Sequence, residues 1–195
     1  VLRKRVQLFP LLALIICSGI GLSSGLYYTD VHEIIYPIHV VLMTAIFYLV
    51  YFLLGDAKRK AEQSLWISLV ALLLCFLFLY TVLKPGFFSV FNRISDLARI
   101  SAGIDIGTWK HADDSYAGLA MCQVTAFLTA VTLYLYETGM PGFVTAVPSF
   151  FVFMLPIAID GVPYEACFIS YGMAMIVFLG LGRRGESIQK LVLLL

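Results

Sequence analysis

Apolar residues fill this chain in long runs, and polar residues interrupt them at only a few places. The runs at residues 8–27, 35–54 and 65–83 each hold about the 20 apolar residues that carry an α-helix across a bilayer core about 30 Å thick. Three more follow at 116–136, 143–159 and 164–181. Between the two sets lies the stretch 84–116, KPGFFSVFNRISDLARISAGIDIGTWKHADDSY, the only long segment that does not read as a span. The pattern predicts an all-α membrane protein, a polytopic bundle of about six transmembrane helices plus one interfacial amphipathic helix. Its parts are a three-span half at 1–83, an extracytoplasmic helix and loop at 84–115, a second three-span half at 116–182, and a cytoplasmic turn at 183–195. The apolar LVLLL from Leu191 reads as the possible start of a seventh span in a longer protein.

Small residues mark the faces on which these helices should meet. Gly21 and Gly25 form a GxxxG in the first span, beside Ser18, Gly19 and Ser23. Gly118, Cys122, Ala126 and Ala130 repeat at spacing four in the fourth. Such faces let backbones approach closely in a medium where apolar attraction between helices is weak. Internal packing is the expected use of the GxxxG. Pro37 and Pro10 fall in first helical turns, where a missing N–H costs little. The fifth span is short and holds Pro148 and Pro156, and Asp160 shapes a tight turn before the sixth. The fifth and sixth are read as full crossings, with a re-entrant pair as the alternative.

Residues 86–100 carry a different periodicity. Phe87, Phe91, Ile94 and Ala98 recur at helical spacing, flanked by Phe88, Val90 and Leu97, while Ser89, Asn92, Arg93, Asp96 and Arg99 take the other side. This predicts a surface helix whose phenylalanine face is buried. Phe87, Phe88 and Phe91 would seat it on lipid, with Arg93 and Arg99 reaching phosphates. A lid packed over the mouths of the spans is the rival arrangement.

Composition agrees with spans: 61% of the 195 residues are hydrophobic and only 13% charged, against about 25% charged in a soluble domain. The net charge of +1 offers no field for nucleic acid. Basic residues gather in three groups, at Arg3 to Arg5, Lys58 to Lys60, and Arg183, Arg184 and Lys190. Six spans put all three groups on one side. The positive-inside rule then places the N-terminus in the cytoplasm, in the inner membrane of a bacterium. Cys17, Cys75, Cys122 and Cys167 each lie within an apolar run, without zinc or redox spacing.

Chemistry-bearing residues are few. His39, one turn into the second span, is the most informative, because ionisable groups at membrane depth are costly and often functional. His111, Asp113 and Asp114 share the central loop, and Gln123 could line a polar path through the fourth span towards Asp160. These histidines and carboxylates match no metal motif, and Asp113-Asp114 lacks the repeat of a diphosphate–magnesium site. No nucleophile–base arrangement, Walker loop or dinucleotide fingerprint occurs. The sequence therefore predicts no cofactor, metal or catalytic residue in this segment, and the lipid bilayer as its partner.

The layout resembles one family. A basic-led first span, a basic turn after the second, the aromatic segment PGFFSVFNRI and the proline-marked AVPSFFVFMLPIAIDGVPYEA are similar to the N-terminal membrane region of bacterial transglutaminase-like membrane proteins. That resemblance implies a span bundle anchoring an extracytoplasmic Cys-His-Asp domain, which would lie beyond this chain as a downstream domain of the same polypeptide. A small permease or a membrane sensor module is the alternative.

Overall fold

The computed structural model describes residues 2–27, 35–54, 60–159, 163 and 165–193. Among these residues the fold is all helix, with no strand. The seven α-helices are α1 (Leu2–Tyr27), α2 (Ile35–Leu53), α3 (Lys60–Phe78), α4 (Tyr80–Ala102), α5 (Ala117–Glu137), α6 (Gly142–Ala158) and α7 (Glu165–Leu193), and a single 3₁₀ turn, Asp114–Tyr116, leads into α5. Four of them, α1, α2, α3 and α5, are long and apolar enough to cross a membrane; α6 and α7 supply shorter apolar stretches.

α1 and α5 form the middle of the bundle. α1 packs against α7 and α6 and also meets α5 and α2, while α5 touches α2, α3, α4 and α6. Their contact faces are small or hydroxylated. A side chain at Gly21 would overlap the Phe153 ring at 2.6 Å, and one at Gly25 would overlap Pro156 at 2.5 Å. The GxxxG is thus used within the bundle, to seat α6. The spacing-four stripe of α5 is buried along its length at Gly118, Cys122, Ala126 and Ala130. Ser18 donates to the Leu14 carbonyl at 2.7 Å and to the Ser149 carbonyl of α6 at 2.9 Å. Phe153 and Tyr171 stack with ring centroids 4.2 Å apart, joining α6 to α7.

The peripheral helices turn large apolar groups outward. Leu49 and Phe52 of α2, Trp66, Leu73 and Leu77 of α3, Phe151 of α6 and Ile176 of α7 are all exposed. The buried hydroxyls lie inside instead, among them Ser64, Ser68, Thr125, Thr129 and Thr132. Large apolar groups thus cover the outside as well as the inside, where they share the core with small hydroxylated residues, and so broad an apolar exterior is not the surface of a soluble domain.

Three boundaries differ from the sequence expectation. The third apolar run does not extend to Leu83: α3 stops at Phe78, and Leu79 turns the chain into α4. The surface helix is correspondingly longer, 23 residues from Tyr80 to Ala102, with Pro85 inside it. α7 continues through residues 183–190, where a turn was expected, to Leu193. That segment contains no proline, and its one glycine, Gly185, costs a helix only about 1 kcal/mol.

Candidate functional site

Several polar side chains meet across elements around α4, at the end of the bundle where α1 finishes and α5 begins; elsewhere Tyr48 donates to Glu137 at 2.8 Å and Ser149 meets Tyr171 at 3.3 Å. α4 packs on α5 and the 3₁₀ turn, and touches α1 and α3. Leu97, with Val90 and Ile94 beside it, joins a cluster with Leu22 and Leu26 of α1, Tyr36 of α2, and Met121 and Cys122 of α5. Gly86 sits against the backbone carbonyl of Tyr116 so closely that any side chain there would collide with it.

One edge of α4 is bound by hydrogen bonds. The Ser89 hydroxyl is buried, lies 2.6 Å from the Tyr27 hydroxyl, and donates to the Asp114 carboxylate. One turn on, Arg93 Nε donates to the Leu26 carbonyl at 2.6 Å. That carbonyl belongs to the last turn of α1, where helix acceptors lack intrahelical donors and the dipole favours a cation. Arg93, expected to reach lipid phosphate, is therefore turned towards α1.

The face of α4 turned away from the bundle carries the loop 103–113. Asn92 closes a two-way clasp on Trp109, donating to its carbonyl at 2.9 Å and accepting its N–H at 2.6 Å. The Trp109 indole stacks on Phe88 with centroids 5.1 Å apart. Asp113 N donates to the Pro85 carbonyl at 3.1 Å, fixing the far end of the loop. Gly103 (φ +67°) ends α4 in the left-handed conformation that suits glycine. Of the three phenylalanines expected on lipid, Phe88 covers Trp109 and Phe87 meets Phe76 of α3 at 5.9 Å, while Phe91 stays exposed. α4 thus lies between the bundle on one side and its own loop on the other.

The residues singled out from sequence fall in different places. Asp114 joins Ser89 and Tyr27, and Asp113 caps the 3₁₀ turn by accepting the Ser115 N–H at 3.0 Å. His111 is exposed in the loop at φ +65°. His39 is half-buried in α2. Gln123 donates to the Leu72 carbonyl of α3 at 2.9 Å, which ties two helices together. Asp160 lies outside the described residues. Among the described residues no three His, Cys, Asp or Glu side chains come together as a metal site would need. Ser89, Arg93, Asn92 and Tyr27 were missed as partners. Their signal was present in the sequence: small and polar residues at spacings of three and four on one edge of an amphipathic helix. Comparison with known protein families, with curated proteins and with solved structures found no match.

Proposed function

We propose that the chain is a polytopic membrane module in which α1, α2, α3, α5, α6 and α7 cross the bilayer. Its N-terminus lies in the cytoplasm of a bacterium, and α4 with its loop lies on the extracytoplasmic side. In this reading it anchors a larger, transglutaminase-like protein whose catalytic domain is encoded beyond this chain. The observation that carries the membrane part is the apolar exterior, with large apolar groups outward on four helices, together with the small and hydroxylated residues between α1, α5 and α6. Lipid replaces the apolar core as the surroundings, and close backbone packing replaces it as the adhesive. The family assignment rests on the sequence layout alone.

The transport alternative draws less support. Its path would run by His39, Gln123 and Asp160, but the Gln123 amide is already committed to the Leu72 carbonyl. Two measurements test the proposal. A single cysteine placed at Ser115 should react with an impermeant maleimide from outside intact cells; reaction only after the cytoplasmic face is opened inverts the topology. Reading the coding sequence past Leu195 should reveal an extracytoplasmic domain with Cys, His and Asp. A cytoplasmic signalling domain there would support a sensor instead, and a stop codon would favour transport.

A further inference from the structure

We infer that α4 is a hinged lid with two positions, and that the hydrogen bonds of its Ser89–Arg93 edge hold it closed over the α1–α5 seam. This rests on the membrane reading above. The apolar face of α4 that packs on the bundle, with Leu83, Val90, Ile94 and Leu97, is the face of an amphipathic helix. At a membrane surface such a face is buried against lipid as well as against protein. Apolar burial alone therefore separates the two positions only weakly. What lipid cannot reproduce is the directed set of contacts: Tyr27 and Asp114 on Ser89, and the Leu26 carbonyl on Arg93. These contacts select the closed state.

The connections suit such a motion. Leu79 is a one-residue break between α3 and α4. At the far end the return loop turns at His111 (φ +65°), between the Trp109 clasp and the start of α5. The loop is pinned to α4 by Asn92 and Phe88, so lid and loop would swing as one piece. Residues 101–116 are exposed throughout. Beneath the lid lie Cys122 and the Tyr36 hydroxyl, which points to Met121 Sδ at 3.5 Å.

Cys122 makes the motion measurable without knowledge of any ligand. In a Cys75→Ser/Cys167→Ser background, Cys122 beneath the lid and Cys17, packed in the α1–α6–α7 cluster, remain as two reporters. The full chain in membranes is treated with N-ethylmaleimide, and each cysteine's modification rate is read by mass spectrometry. Ser89→Ala should raise the Cys122 rate about tenfold, as expected for hydrogen bonds to a charged group, and leave Cys17 unchanged. Tyr27→Phe, which removes one oxygen, should act in the same direction, and it carries the test if Ser89→Ala does not assemble. Unchanged labelling at Cys122 overturns the lid while leaving the membrane reading intact. An equal rise at both cysteines also overturns it, because the contacts would then stabilise the whole bundle. Recovery of the wild-type chain outside the membrane fraction removes the lipid surface that the open position needs, and overturns both readings.

Discussion

At the scale of single residues, the decisive property is size. Gly21 and Gly172 are both helical glycines, but a Cβ at Gly21 meets the Phe153 ring while one at Gly172 meets nothing within 4 Å. Gly21→Ala should therefore cost roughly 1–3 kcal/mol through overpacking. Gly172→Ala should be neutral or gain up to about 1 kcal/mol from helix propensity. Thermal unfolding of the detergent-solubilised protein reads both; an equal effect of the two would contradict the α1–α6 packing. Gln123 separates packing from passage in a similar way. If its amide serves only the Leu72 carbonyl, Gln123→Leu should lose no more than the roughly 0.6–1.7 kcal/mol measured for polar contacts between membrane helices. The GxxxG was legible in the sequence, because its spacing alone specifies a face. The partner of Gln123 was not, because a single amide in an apolar helix does not reveal which neighbour's carbonyl it will meet.

At the scale of elements, hydrophobic periodicity located the helices but not the rotation of α4 about its axis. The pattern pointed to Phe87, Phe91, Ile94 and Ala98 as the buried line. The fold buries Leu83, Gly86, Ser89 and Leu97 with Ala98, and leaves Phe91 outside. The close approach of Gly86 to Tyr116 accounts for the difference, since a helix packed that tightly presents its smallest residues rather than its largest. The break at Leu79 escaped for a related reason. Neither glycine nor proline marks it, and the chain turns there because Leu83 and Gly86 must reach the start of α5. The Asn92 clasp gives a test at this scale. Asn92→Ala removes both hydrogen bonds to Trp109, and limited proteolysis should then cut the loop 103–113 several-fold faster while the helices stay intact. Arg93→Met should loosen the same edge of α4, raising the Cys122 labelling rate about tenfold or more, as expected for a hydrogen bond to a charged group, with the denaturation midpoint of the bundle little changed.

At the scale of the whole molecule, the central position of α1 has a consequence for how the protein is made. α1 leaves the ribosome before the other described helices, yet its main partners are α6 and α7, the last two of them. At roughly 5–20 residues per second, α7 follows about ten to thirty seconds later. During that interval the glycines at 21 and 25 and the hydroxyl of Ser18 have none of their final neighbours from α6. Under the membrane reading, α1 must wait in lipid with an unfilled groove, or be sheltered by the insertion machinery until α6 arrives. The nascent chain is thus most vulnerable to capture by other helices before residue 142 emerges. Truncation after α5 should yield a product that quality-control proteases clear faster than the full chain, measurable by pulse-chase. Equal lifetimes would mean that α1 finds adequate shelter from α2 and α5 alone.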